Sequence, residues 1–160
     1  MKQLYFFVKL FSFVLLIFIW EYTFISYREL PDIIPIHFGV DGTPDGFSTK
    51  KMSWLLPIIA SFVFGLLFYL SKNQSSSLLN LPANIKENKQ LSSNIIHFVN
   101  LIAMVIFSVI TYESINVALE KSSRLSSATI YLVALLFLGI IGILIYSNHL
   151  KKTATKTSDQ

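Results

Sequence analysis

His37, Asp41 and Asp45 stand together in a short, turn-rich stretch, LPDIIPIHFGVDGTPDGFSTK, that runs from Leu30 to Lys50. One imidazole with two carboxylates is a set that binds divalent metals. The spacing Asp41-x-x-x-Asp45-Gly46 matches part of a calcium loop. A full EF-hand loop requires a third oxygen ligand at Thr43 and a glutamate where Met52 stands. That departure leaves His37, Asp41 and Asp45 as weak metal candidates, and no metal or other cofactor is expected. The simpler expectation is that the aspartates close turns and that His37 hydrogen-bonds to one of them.

The backbone around these groups is restricted. Pro31 and Pro35 cannot donate backbone hydrogen bonds, and each pushes the residue before it toward extended geometry. Leu30–Phe38 is therefore expected to be extended, with Ile33, Ile34, Ile36 and Phe38 offering an apolar side. Asp41-Gly42 and Pro44-Asp45-Gly46 are turn signals. A short hairpin or compact turn follows, lidding one end of whatever lies beneath.

What lies beneath is set by composition. The chain has 160 residues, 53% hydrophobic and only 14% charged, where soluble domains carry roughly 25% charged residues. Mean hydropathy is +0.60. A bilayer-spanning helix needs about 20 mostly apolar residues, and four segments qualify, at about 4–25, 54–70, 95–112 and 129–146. The expectation is an all-α integral membrane protein: one four-helix domain over residues 1–150, with a turn-rich extracytoplasmic loop at 28–53 between helices 1 and 2. Residues 71–94, rich in Ser, Asn and Lys, read as a cytoplasmic linker, and the tail 151–160 as disordered. Ile115, Ala118 and Leu119 continue helical spacing beyond Tyr112.

Lys and Arg set orientation. The N-terminus, the second loop and the tail hold eight, against five in the first and third loops. Both termini are thus expected in the cytoplasm and the 30–50 loop outside. The N-terminal apolar run leads into Trp20-Glu21-Tyr22, with no small-residue cleavage site, so it reads as an uncleaved helix. Trp20, Tyr22, Tyr27, Trp54 and Tyr112 fall near the outer helix ends, a depth that amphipathic rings prefer. The net charge of +4 belongs to helix ends and lipid contact, and no nucleic-acid partner is expected.

Glu21, His97 and Asn100 interrupt the apolar segments and Glu113 follows the third, while Lys9, toward the inner end of the first, can snorkel. An ionised group at the bilayer centre costs about 2.5–3.5 kcal/mol, so each needs a reason. Glu21, with Arg28 or Lys50 and Lys51 in reach, and Glu113 read as interfacial, whereas His97 and Asn100 form a stripe suited to helix packing. Ser61 and Gly65 form a small-x-x-x-small pair fit for close helix contact. With no cysteine, disulfides and thiolate chemistry are excluded. There is no G-x-S-x-G, H-E-x-x-H, phosphate-binding loop or dinucleotide fingerprint, and the chain is not expected to be an enzyme.

Leu30-Pro31, Ile34-Pro35-x-His37-Phe38, Gly42, Asp45 and Lys50 closely resemble the signature of a membrane family catalogued as domain of unknown function 1648. That domain also begins SdpI-like immunity proteins, which protect Gram-positive producers from their own secreted toxic peptide. The resemblance spans roughly residues 10–70 and implies a small bacterial cytoplasmic-membrane protein. Its 30–50 loop would serve recognition, in an immunity-like or envelope-stress role. Membrane lipid, a peptide or another membrane protein are the implied partners. The rival expectations are a transporter or transporter subunit, resting on Glu21, His97, Asn100 and Glu113, and a metal-dependent membrane enzyme.

Overall fold

The computed structural model describes residues 2–74, 76, 78–79, 88–132, 134 and 138. Helix α1 (Lys2–Ser26) leads into an antiparallel pair, β1 (Ile33–Phe38) and β2 (Pro44–Thr49). A 3-10 turn over Lys50–Trp54 then feeds α2 (Leu55–Lys72), and α3 covers Lys89–Ala118. Three stretches are long and apolar enough to cross a membrane: Gln3–Ser26, Lys50–Lys72 and Lys89–Ala118. Of the fourth expected span, 129–146, the described residues contain a short helical stretch at 127–132. The rest of that span, part of the 71–94 linker and the 151–160 tail lie outside the described residues.

Helix α3 is longer than its apolar core at 95–112. At 1.5 Å per residue its 30 residues reach about 45 Å, well beyond a hydrocarbon layer about 30 Å thick. The extra length has local causes at both ends. Asn88 is the N-cap, its side chain accepting the Leu91 N–H at 3.0 Å. At the other end the Lys121 N–H reaches the Asn116 carbonyl at 2.9 Å and the Glu120 N–H reaches Val117 at 3.0 Å. That is the Schellman ending, and it puts Glu120 at φ 58°, the left-handed region that favours glycine. Pro57 is tolerated in α2 because it falls in the first turn, where the N–H has no helical partner.

Helix α3 packs against both α1 and α2, which touch each other less. Ile19 (α1), Ala60 (α2) and Met104 (α3) meet in the centre, fully buried, with Leu16, Val63, Phe64 and Phe107 around them. The small residue that admits close approach is therefore Ala60. The Ser61/Gly65 pair does not do this: a Cβ on Gly65 would meet nothing within 4 Å among the described residues. Ser61 instead accepts the Trp20 Nε1–H at 2.9 Å while donating to the Pro57 carbonyl at 2.8 Å. Buried Ser12 and Thr23 likewise donate to carbonyls four residues back, which satisfies their hydroxyls within an apolar span.

The hairpin covers the end of the bundle where α1 finishes, α2 starts and α3 finishes. Trp54 sits there beside Trp20 and Tyr27, with ring centroids 5.9 and 5.3 Å away, and Tyr22 lies 5.4 Å from Tyr112.

Candidate functional site

The hairpin is held at its base by one lysine. Lys50 Nζ lies 3.1 Å from Asp32 Oδ1, donates to the Leu30 carbonyl at 3.5 Å, and sits 5.8 Å from the centre of the Tyr27 ring. Its backbone N–H bonds to the Asp32 carbonyl at 2.9 Å. The residue that closes the motif thus closes the hairpin on its own first turn. Leu30 is 3% exposed and packs with Ile34 and Ala118, pinning β1 to the end of α3.

Register along the pair runs Ile33 to Thr49, Ile34 to Ser48 and Pro35 to Phe47, then His37 to Gly46 and Phe38 to Pro44. The irregularities on either side of His37 fall among residues that include Pro35 and Pro44, which lack the N–H that a regular ladder uses. They bring His37 Nδ1 onto Asp45 Oδ1 in a direct contact on the exposed side of the hairpin. A Cβ on Gly46 would lie 2.8 Å from the His37 Cβ, so the glycine is what lets the imidazole cross.

Asp41 turns elsewhere. Its carboxylate accepts the Thr43 hydroxyl at 2.7 Å and the Thr43 N–H at 3.1 Å. Those two bonds, the hydroxyl first, hold the Asp41 carboxyl below its ordinary pKa. Among the described residues no three His, Asp or Glu side chains are grouped closely enough to hold a metal ion.

The hairpin tip is anchored from outside. The Leu125 N–H donates to the Gly42 carbonyl at 2.9 Å, from the loop that follows α3. Gly42 has φ 81°, and a Cβ there would stand 2.7 Å from the Leu125 carbonyl oxygen and 3.1 Å from Ile130 Cδ1. The same loop is fixed to the bundle by Glu113, which accepts the Ser126 N–H at 2.7 Å and its hydroxyl at 2.5 Å. Ser126 in turn caps the next helical stretch through the Thr129 N–H. Glu113 is therefore a strut between α3 and the chain that grips the hairpin.

Between hairpin and bundle lies a cavity of about 200 Å³. Leu30, Ile34, Pro35 and Phe38 of the motif form one wall, Met52 and Leu56 a second, and Thr111, Ser114 and Ile115 of α3 a third. It is mostly apolar. Thr111 is 1% exposed and its hydroxyl has no hydrogen-bond partner among the described residues. A buried hydroxyl without a partner is a costly feature. Cavities of about 150 Å³ with apolar walls accept a benzene-sized molecule, so this one has room for a large apolar side chain.

The sequence-singled residues thus divide. Leu30, Pro35 and Phe38 line the cavity; Gly42, Asp45, His37 and Lys50 shape and fasten its lid. Pro31 is exposed at the hairpin's foot. Glu21 is exposed on α1, and Lys50 takes Asp32 rather than Glu21 as its partner. His97 and Asn100 are not here: they lie together in another groove, with Lys9 and Phe68, toward the opposite end of α3. Thr111, Ser114 and Leu56 escaped the sequence reading. The spacing Thr111, Ser114, Ile115, Ala118 marks one face of α3 at helical period, which was the available signal.

Residues 14–60 match the family described as Domain of unknown function (DUF1648). The matched segment takes in the second half of α1, the whole hairpin and the start of α2. A relative described only as "Uncharacterized protein", from Archaeoglobus fulgidus, is 31% identical over 71 residues, or 41% of this chain and 39% of the relative. The chain thus spans about two fifths of the length of that curated relative. No solved structure matches the chain.

Proposed function

We propose that this DUF1648 protein is a recognition component of the bacterial cytoplasmic membrane, immunity-like in role. Its hairpin faces outward, and the cavity beneath receives an apolar anchor of a membrane-active peptide. The observation that carries this reading is the cavity itself. Its lid is built from the family motif, its walls are apolar, and behind the α3 wall Thr111 carries a buried hydroxyl with no partner among the described residues. An amphipathic segment entering there would bury an apolar side chain. The outward orientation rests on the excess of Lys and Arg at the other end, within a four-span arrangement with both termini cytoplasmic.

Deleting the chain is expected to sensitise cells to at least one member of a panel of membrane-active peptides. Ser114→Phe, which places a ring in the cavity, is expected to reproduce that sensitivity at unchanged membrane abundance. His37→Ala, which loosens the lid through Asp45, is expected to have a smaller effect in the same direction. Unchanged sensitivity across the panel, or full protection by Ser114→Phe, would refute the reading.

A further inference from the structure

The groove at the opposite end of the bundle has chemistry of its own. It has a volume of about 390 Å³, and Phe6, Leu10, Phe13, Phe64 and Phe68 line it with Lys9, His97 and Asn100. Phe6, Phe13 and Phe68 are exposed, so the groove opens on the side that faces acyl chains.

Two lysines stand at its rim at the same depth. Helices α1 and α2 run antiparallel and are registered by the Trp20–Ser61 hydrogen bond. Lys9 lies eleven residues before Trp20 and Lys72 eleven residues after Ser61. At 1.5 Å per residue both fall about 16 Å along the axis from that bond. Lys72 Nζ sits 4.6 Å from the centre of the Phe68 ring, itself a wall of the groove. Both lysines are exposed, and neither makes an ion pair among the described residues.

Deeper in, Asn100 is 2% exposed and donates one N–H to the Phe64 carbonyl at 3.3 Å, while its Oδ1 has no partner among the described residues. It lies on the level of Phe64, eight residues and about 12 Å, a little over two helical turns, further into the bundle than Lys72.

We infer that this groove is a binding site for one anionic phospholipid of the phosphatidylglycerol type. Its phosphate sits between Lys9 and Lys72. One acyl chain follows the phenylalanine wall. Paired cations at one depth match a phosphodiester at the interface, and the apolar run below matches the chain. Basic pockets between spanning helices bind anionic lipid in this way. The inference stands apart from the hairpin cavity, at the other end of the molecule, so either can fail without the other.

The full chain is reconstituted in vesicles of phosphatidylcholine and phosphatidylglycerol in equal amounts, re-extracted in mild detergent, and its retained lipid counted by native mass spectrometry. Wild type is expected to retain phosphatidylglycerol over phosphatidylcholine by roughly tenfold or more, the scale of two lysine–lipid attractions. Lys9→Gln with Lys72→Gln is expected to abolish that preference, whereas Lys9→Arg with Lys72→Arg keeps it. Protection of the Leu125 amide from hydrogen exchange serves as the fold control for each variant. Equal retention of the two lipids by wild type would overturn the inference, as would an unchanged preference in the double Gln variant. Loss of the preference on adding inorganic phosphate would assign the site to a free anion, and would equally overturn it.

Discussion

Gly42→Ala should loosen the hairpin from the bundle, while the same change at Gly65 should not. At residue 42 the backbone has φ 81°, and a methyl group would stand 2.7 Å from the Leu125 carbonyl oxygen. The left-handed conformation alone costs a non-glycine residue about 1–2 kcal/mol. Relieving the clash means moving the 121–126 loop, and with it the Leu125 N–H to Gly42 carbonyl bond, worth about 1 kcal/mol. The sum is about 2–3 kcal/mol against hairpin docking. At Gly65 a methyl group meets nothing within 4 Å among the described residues, and alanine improves helix propensity by up to about 1 kcal/mol. Amide exchange in micelles reads the difference locally. The Leu125 amide should exchange on the order of 30- to 100-fold faster in Gly42→Ala, at 1.4 kcal/mol per tenfold, and no faster in Gly65→Ala. Wild-type protection of Leu125 in Gly42→Ala would refute the docking of hairpin on loop. Equal acceleration by both variants would refute the argument from local geometry.

Three further changes test separate parts of the account. Glu120→Gly should raise stability in micelles by about 1 kcal/mol, since glycine accepts the φ of 58° that ends α3; a loss of stability would show that the Schellman ending is not what holds that turn. Met104→Ala should cost about 2–5 kcal/mol, because Met104 is fully buried between Ile19 and Ala60, and a cost under 1 kcal/mol would remove it from the centre of the bundle. Asp41 in the folded hairpin has a pKa below its ordinary 3.8, so its bonds to Thr43 contribute stability above that value and lose it as pH falls through the folded pKa. Thr43→Val, which deletes the hydroxyl donor, should raise the Asp41 titration midpoint toward 3.8 in a carboxyl-carbon NMR titration, and an unmoved midpoint would contradict the assigned cause.

Much of this architecture was legible because its causes are local. The apolar runs of α1, α2 and α3 announce membrane-length helices without reference to anything else. Pro31, Pro35 and the two Asp-Gly pairs announce an extended segment and its turns. The hairpin, and the pairing of His37 with one aspartate, follow from those signals. What escaped depends on distant parts of the chain meeting. That Leu125 grips Gly42, and that Lys50 chooses Asp32 over Glu21, are decided by how α3 delivers its following loop and by the hairpin's register. Helix contact at Ala60 rather than Gly65 turns on the rotation of α2, which a small-residue spacing does not fix. The cavity was invisible for the same reason. Its walls come from the hairpin, α2 and α3, and none of the three shows alone that a space lies between them.

The side of the membrane on which the hairpin stands decides whether it can meet an external peptide at all. The chain contains no cysteine, so Ser48→Cys on β2 gives a single reporter, with Thr153→Cys in the tail as its opposite. In intact cells, a membrane-impermeant maleimide is expected to label Ser48→Cys before lysis and Thr153→Cys only after it. Labelling of Thr153→Cys in intact cells, with Ser48→Cys protected until lysis, would put the hairpin and its cavity in the cytoplasm and contradict the proposed recognition of external peptides.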